Sequence, residues 1–365
     1  ARSLQAHRPE MNRFVIRFSF ARVRDSFWTI GQIVLAALSS YLFARYVLGH
    51  QVPLLAVTVA ISSLGFSRDT KPKQVLLTAI AMFSGVVLSE TLLQTFGSGA
   101  LQLAIAILLA LVIARLFTSN PAFTITVAIQ AVLVQLMQTP ITGVYSRAID
   151  GLIGGAIALI FVSLMPRNPI KLARQDSKAL FLVFRNTLST VAAVLRSPNA
   201  DLADQALTEI RKTQPLVDNW QSSLESALAI SKISPFYRWT TKEISQQWQV
   251  AEGMDLATRN LRVLTRRVHF LVKDEKPRPQ LSDLVGKIII ATELLEQTSD
   301  DFSVTQKAKK YLRKIPASLS PSVFDPPLTI SESALLLEIR PLFVDLAVAA
   351  GIGADQARSL LPKVD

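Results

Sequence analysis

The chain has 365 residues, no cysteine and a formal net charge of +12, and half of its residues are hydrophobic. The lack of cysteine excludes disulfides, thiolate metal sites and cysteine catalysis, and His7, His50 and His269 are too scattered to form a metal site. Residues 1–169 contain 13 Lys and Arg against 5 Asp and Glu, whereas residues 170–365 contain 26 against 22. The first part is therefore charge-poor, and the second has the composition of a soluble protein.

Apolar segments fill the charge-poor part. A helix needs about 20 apolar residues to cross a bilayer. Six segments are candidates: Phe27–Gly49, Val52–Phe66, Gln74–Phe96, Leu101–Phe117, Pro121–Met137 and Ala148–Met165. Two of them are short, and we expect such segments to tilt little or to enter the bilayer partway. The sequence predicts a cytoplasmic N-terminal arm over residues 1–25 and a six-span transmembrane domain over residues 26–166.

Basic residues mark alternate connections between these segments. They are Arg13, Arg17, Arg22 and Arg24, then Arg68, Lys71 and Lys73, then Arg115, and finally Arg167, Lys171 and Arg174. The positive-inside rule therefore predicts that both termini are cytoplasmic. The same rule accounts for the basic net charge, so we do not predict binding to nucleic acid.

The membrane part contains an internal repeat. Span two opens with the pattern P-x-x-x-[VI]-T-V-A-I, and span five repeats it 68 residues later. The landmarks that share this offset within two residues are Pro53 and Pro121, Thr58 and Thr126, Arg45 and Arg115, and Gly85 and Gly154. Each copy holds three spans, an odd number, so the second copy is inverted relative to the first. Inverted repeats are typical of transporters, whose pathway lies at the repeat interface near short or proline-interrupted helices.

The repeated residues are the first candidates for a substrate pathway. Pro53 and Pro121 begin the short spans, where a helix N-terminus attracts anions; alternatively, proline simply starts each helix. Arg45 and Arg115 could bind a carboxylate, or they could extend to the lipid interface.

The hydroxyls of the repeated threonines are further candidates. Thr58 and Thr126 could line a pore together with Gln130, or they could bond to carbonyls of their own helices.

Charged residues inside the spans are the second group of candidates, because buried charge in a membrane is costly and usually functional or paired. Arg147 and Asp150 lie three residues apart at the start of span six. We expect an ion pair within that helix, or alternatively a gate or a proton-linked carboxylate. Glu90 lies deep in span three without an obvious local partner, and it is the best candidate for proton coupling. Asp69 completes the candidates for coupling or gating.

The second half has helical periodicity with ordinary surface charge. Amphipathic patterns are typical of helices over Ser177–Leu195, Asp201–Ile233 with an interruption at Pro215, Pro235–Lys273, Ser282–Thr298, Thr305–Ile315 and Ser331–Leu361. Long helices with short connections predict a bundle, which we place in the cytoplasm over residues 167–365. We therefore expect an all-α protein. A basic patch of Lys309, Lys310, Arg313 and Lys314 is interpreted as a solvated face that could touch lipid headgroups.

These features resemble the aromatic acid exporter superfamily, which includes fusaric-acid-resistance-like bacterial proteins. The resemblance rests on the six-span layout, the repeated proline–threonine segments, Ser67-Arg68-Asp69 before span three, and the stretch from Arg147 through Asp150 to Gly155 in span six. It implies export of aromatic or other organic carboxylates across a bacterial inner membrane. Since the chain has one six-span unit, assembly as a homo-oligomer is expected.

The sequence contains no nucleotide-binding loop, zinc pattern or hydrolase triad, so neither an enzyme nor a cofactor is predicted. We predict a membrane transporter for small organic anions. Two alternatives stay open, a passive organic-anion channel and a non-transporting membrane scaffold whose helical domain binds a partner.

Overall fold

The computed structural model describes residues 20–65, 72–117, 121–137, 146–164 and 169–363, and every regular element among them is helical. The all-α prediction is therefore confirmed for the described part of the chain. Asp69 and the rest of the Ser67–Asp69 segment lie outside these residues.

Six α-helices form the membrane half. They are α1 (Phe20–Leu42), α2 (Leu54–Leu64), α3 (Pro72–Phe96), α4 (Ala100–Phe117), α5 (Pro121–Leu136) and α6 (Ser146–Leu164). Helix α1 begins at Phe20, so its first six residues lie within the predicted N-terminal arm. It continues as a π-helical turn over Phe43–Val47, and such turns are frequent at functional sites.

Four of the six predicted spans are long enough to cross a membrane, namely those of α1, α3, α4 and α6. Helices α2 and α5 have 11 and 16 residues. At 1.5 Å per residue, α2 is roughly 16 Å long, about half of the hydrocarbon thickness. All six predicted apolar segments are thus helical, and α2 and α5 are the two that are shorter than a full crossing needs.

The six helices contact one another in a regular pattern. Helix α1 contacts α2 and α6, while α4 contacts α5 and α3; α2 packs on α6, α5 packs on α3, and α3 packs on α6. We call the end of the bundle where α1, α3 and α5 finish the His50 end. The opposite end, where α3 begins, is called the Pro72 end.

Two glycines allow the short helices to approach the long ones. A Cβ at Gly154 of α6 would lie 2.3 Å from the carbonyl oxygen of Ala56 in α2. A Cβ at Gly85 of α3 would lie 2.9 Å from Cγ1 of Val127 in α5. Small residues serve this purpose in membranes, where apolar helices gain little from being buried away from equally apolar lipid. Gly155 of α6 also allows close approach, since a Cβ there would lie 2.7 Å from Cβ of Ala79 in α3, whereas a Cβ at Gly151 would make an ordinary contact with Val59 at 3.9 Å.

Eight further α-helices follow. They are α7 (Pro169–Arg196), α8 (Ala200–Arg211), α9 (Gln214–Ile233), α10 (Thr241–Leu271), α11 (Pro279–Thr298), α12 (Thr305–Leu312), α13 (Ile330–Ala349) and α14 (Ala354–Ser359). The break at Pro215 is as predicted, whereas the expected helix over Ser331–Leu361 is divided in two. Gly351 adopts a φ of 84° there, a conformation that ends a helix at low cost only with glycine.

One apolar core joins these eight helices. Its largest fully buried side chains include Phe181, Phe184, Trp220 and Phe343. Helix α7 is long and apolar enough to cross a membrane by length and composition, yet its strongly one-sided apolar face packs on α8, α9, α10 and α11. The apolar face of α7 is thus buried in the C-terminal core.

The two halves touch at the Pro72 end. Helix α9 contacts α3, and a short 3-10 segment over Pro235–Thr240 contacts α6. The C-terminal helices therefore lie next to the ends of the membrane helices on that side.

Candidate functional site

The first turn of α6 carries two charged side chains that are both buried, Arg147 and Asp150. The expected ion pair between them is wrong, because each has a partner on another helix or loop. Arg147 Nη1 lies 3.4 Å from Glu90 Oε2, and His50 Nδ1 lies 2.6 Å from Asp150 Oδ1. A separation of three residues permits contact within a helix, but here both side chains leave the helix toward neighbouring elements.

Glu90, for which the sequence offers no obvious local partner, contacts two described residues. Besides Arg147, the amide of Gln94 donates to Glu90 Oε1 at 3.3 Å. The Glu90 carboxylate is buried in α3, about one and a half turns after Gly85 on the same helix, and its charged partner comes from α6. Paired in this way, the carboxylate keeps its charge at a lower cost than an isolated one.

Arg147 also closes the end of α5. Its Nη1 donates to the carbonyl oxygen of Val134 at 3.0 Å, and its Nη2 donates to that of Met137 at 3.1 Å. The last carbonyls of a helix have no partner within the helix, and a cation there is favourable. The guanidinium therefore joins α3, α5 and α6 at the His50 end.

His50 is the site residue that the sequence analysis missed. It lies in the connection between α1 and α2, its side chain is buried, and its backbone N–H donates to Ala44 in the π-helical turn at 3.1 Å. One signal was available: a two-residue connection between apolar segments leaves its residues little room to leave the membrane region. The partner, Asp150, lies 100 residues away and could not be inferred from spacing.

Uncharged polar groups extend this cluster into the bundle. The hydroxyl of Thr58 donates to Gln130 Oε1 at 3.1 Å, which joins α2 to α5. The amide of Gln135 donates to the carbonyl of Ser89 at 3.2 Å, while its buried Oε1 has no hydrogen-bond partner among the described residues. Thr58 and Gln130 are thus brought together as the pathway hypothesis requires, although the Thr58 hydroxyl also lies 3.4 Å from Leu55 O of its own helix.

The remaining predicted residues lie apart from the cluster or at its edge. Arg45 and Arg115 are exposed, and Arg45 donates to the carbonyl of Gln51; this exposure favours the interfacial interpretation of both. Pro53 is buried immediately before α2, whereas Pro121 at the start of α5 is exposed, and Thr126 is half-buried. Their substrate roles stay predictions.

The described residues contain no group of three or more His, Cys, Asp or Glu side chains that could hold a metal ion. The site instead holds an ion pair between Glu90 and Arg147 and a contact between His50 and Asp150, with Arg147 and Asp150 about one turn apart along α6. Such pairs are the usual elements of gates and ion pathways in membrane proteins.

The chain has relatives among known proteins. Residues 35–161 match the family model of fusaric acid resistance protein-like proteins. An uncharacterised protein of Corynebacterium glutamicum is 24% identical over 355 residues, which cover 95% of this chain and 91% of that protein.

Two further relatives come from mycobacteria. Proteins of Mycobacterium bovis and Mycobacterium tuberculosis named "Putative arylamide transporter" are 20% identical over 236 residues, 62% of this chain and 66% of theirs. The names of the family and of these relatives describe resistance and transport rather than catalysis. The predicted resemblance is therefore confirmed: the membrane half of this chain is similar to the fusaric acid resistance-like family of membrane proteins.

Proposed function

We propose that the protein exports small organic anions, aromatic carboxylates among them, across a bacterial inner membrane with both termini in the cytoplasm. The observation that carries the proposal is the buried guanidinium of Arg147, held between Glu90 and the end of α5. In this orientation the His50 end faces the periplasm and the residues from 167 onward form a cytoplasmic domain.

Arg147 is the anion-binding group of the proposal. A guanidinium binds a carboxylate through two parallel hydrogen bonds, and its contact with Glu90, at 3.4 Å, is long for such a bond. A substrate carboxylate that displaces Glu90 would keep the charge of Arg147 paired while it detaches α3 from α6. Substrate binding would thereby open the His50 end.

The contact between His50 and Asp150 is the second one that would hold the His50 end closed. His50 precedes α2 and Asp150 lies one turn after Arg147, so their contact fixes the short helix α2 to α6. A proton that binds to the Asp150 carboxylate would weaken this contact. This pair, with Glu90, supplies the groups through which protons could couple to transport.

The contact pattern supports the inverted repeat that alternating access requires. Helices α1, α2 and α3 correspond to α4, α5 and α6 in the repeat. Under this correspondence the contact of α1 with α2 becomes that of α4 with α5, the contact of α1 with α6 becomes that of α4 with α3, and the contact of α2 with α6 becomes that of α5 with α3. All of these contacts are present. The glycine contacts follow the same exchange, since Gly85 faces α5 and Gly154 faces α2. The short helices thus lie at the interface of the two triplets, where transporters of this type bind substrate.

The membrane potential decides how much coupling such export needs. An inside-negative potential drives an anion outward with about 2.3 kcal/mol per charge per 100 mV. An uncoupled channel would therefore also release organic anions, and proton dependence is the property that separates the two mechanisms.

The testing experiment measures flux in proteoliposomes. We expect efflux of hydroxybenzoate that is reduced at least tenfold by Arg147→Gln and that loses its pH dependence in Glu90→Gln or Asp150→Asn. Asp355→Asn, which neutralises an exposed carboxylate of α14, is the matched control and should leave efflux unchanged. Efflux that is fast but independent of pH in every variant would indicate the channel.

The relatives named for arylamides suggest a second substrate class, an aromatic amide. A neutral arylamide makes no use of the charge of Arg147, so its efflux should survive Arg147→Gln while that of hydroxybenzoate does not. If neither compound moves under any gradient, the scaffold alternative is favoured and the transport proposal is wrong.

A further inference from the structure

The segment that connects α9 to α10 exposes large apolar side chains where the two halves of the molecule meet. Trp239 is 84% exposed and Ile233 is 46% exposed. The 3-10 segment that holds Trp239 contacts α6, and α9, which ends at Ile233, contacts α3. Both side chains therefore lie beside the Pro72 end of the membrane helices.

The backbone around Trp239 is held in place. The N–H of Ser234 donates to Ile230 O at 2.8 Å, and the hydroxyl of Thr240 donates to Tyr237 O at 2.6 Å. Tyr237 packs against the large core of the C-terminal helices. The exposed indole is thus presented by an ordered turn whose other side is buried.

A membrane interface accounts for such an exposed tryptophan. Tryptophan is enriched at the level of the lipid headgroups, and Trp28, in the first part of α1 toward the Pro72 end, is also 55% exposed. By contrast, Trp220 is fully buried and packs in a tilted arrangement against Phe181, with 6.0 Å between the ring centroids.

Exposed lysines surround the same place. Lys73 lies in the first turn of α3, Lys232 near the end of α9, and Lys242 in the first turn of α10. Basic residues beside a membrane are attracted to anionic lipid, by about 1 kcal/mol for each residue at the surface.

We propose that residues 232–242 form a lipid anchor, in which Ile233 and Trp239 enter the headgroup region of an anionic leaflet and the neighbouring lysines contact lipid phosphates. The anchor fixes the C-terminal helices against the membrane beside α3 and α6. It does not depend on the transported substrate, so a failure of the transport proposal leaves it intact.

The test uses the absence of cysteine from the chain. Single variants Trp239→Cys and Ile330→Cys are labelled with an environment-sensitive fluorophore and reconstituted in nanodiscs. Ile330 is the matched control, because it is apolar and 91% exposed but lies far from the membrane helices. It begins α13 beside Glu332, which accepts a hydrogen bond from Arg278, and the backbone N–H of Arg278 donates to Leu195 O near the end of α7. That end of α7 is roughly 40 Å from the start of the helix.

We expect spin-labelled lipid to quench the label at residue 239 at least threefold more than the label at residue 330. Adding phosphatidylglycerol to phosphatidylcholine should increase the difference, and Lys232→Gln with Lys242→Gln, made in the labelled Trp239→Cys protein, should remove that increase. Equal quenching at both positions would overturn the proposal. The proposal would also be overturned if the label at residue 239 were shielded from water in detergent, to an extent that grows with protein concentration. That result would show that a second copy of the chain, rather than lipid, covers this surface.

Discussion

The helices of the membrane half meet through alanine, glycine and valine, whereas the C-terminal helices pack around phenylalanine, tryptophan and leucine. The central apolar cluster of the membrane half contains seven residues, four of which are alanine. The other half has one continuous core. Large apolar side chains gain by leaving water, but they gain nothing by leaving lipid, so close backbone approach replaces bulk in the membrane.

Charge is placed differently in the two halves as well. Among the described residues of the membrane half, Arg147 and Glu90 are both buried, and so are Asp150 and its partner His50. Most ion pairs of the C-terminal half, such as Arg267 with Glu338, have exposed members. Arg278 is the nearest equivalent, since it is buried, but its partner Asp274 is exposed. Loss of a charge should therefore be more damaging in the membrane half.

The largest effect is expected for Arg147→Met. It leaves the Glu90 carboxylate buried without its cation and removes the donors at the end of α5, which should lower the free energy of unfolding by about 3 kcal/mol. Unfolding in mixed micelles measures this effect. Arg259→Met, which removes an exposed pair with Asp255, should cost under about 1 kcal/mol; equal losses in the two variants would contradict the comparison.

A smaller loss is expected for Gly154→Ala. The added Cβ would meet the backbone of Ala56, so α2 must move away from α6, at a cost of about 2 kcal/mol. Gly31→Ala is the control, because nothing lies within 4 Å of the corresponding Cβ, and alanine there should be neutral or stabilising. The same unfolding measurement applies, and a stable Gly154→Ala protein would argue against close packing of the short helix.

In the C-terminal half, Arg278→Met should cost about 2 kcal/mol, the magnitude for lost hydrogen bonds to charged groups. The hydrogen bond from Arg278 lowers the pKa of Asp274 below its ordinary value. This contribution to stability is present above the unfolded pKa of about 4 and is lost as the pH falls through the lower folded value. Chemical denaturation between neutral and acidic pH should therefore show a shallower dependence in Arg278→Met than in the natural chain.

The smallest effect concerns Thr58 and Gln130. A double-mutant cycle with Thr58→Val and Gln130→Leu should give a coupling of about 0.6 kcal/mol, since polar contacts between membrane helices contribute little on average. Measured coupling near zero would mean that the two helices are held by packing alone. Reduced hydroxybenzoate efflux without loss of stability would instead assign the pair to the pathway.

Local patterns in the sequence determined which segments are helical and which half belongs in a membrane. Apolar length, basic connections and the repeated proline–threonine pattern are properties of neighbouring residues. The ends of α3, α4 and α6 therefore lie within two residues of the predicted ends. The true length of α2 was less accessible, because hydrophobicity continues past the points where the helix begins and ends.

Only the tertiary structure decided the partners of the buried charges. Glu90 and Arg147 are 57 residues apart, and His50 and Asp150 are 100 apart, so no helical spacing could connect them. Arg147 and Asp150 have the right separation for a pair within one helix and still part, because buried charges take the partners that the surrounding helices bring to them. The sequence alone therefore determined where charge enters the membrane, and the packing of α3 and of the connection before α2 against α6 decided how that charge is paired.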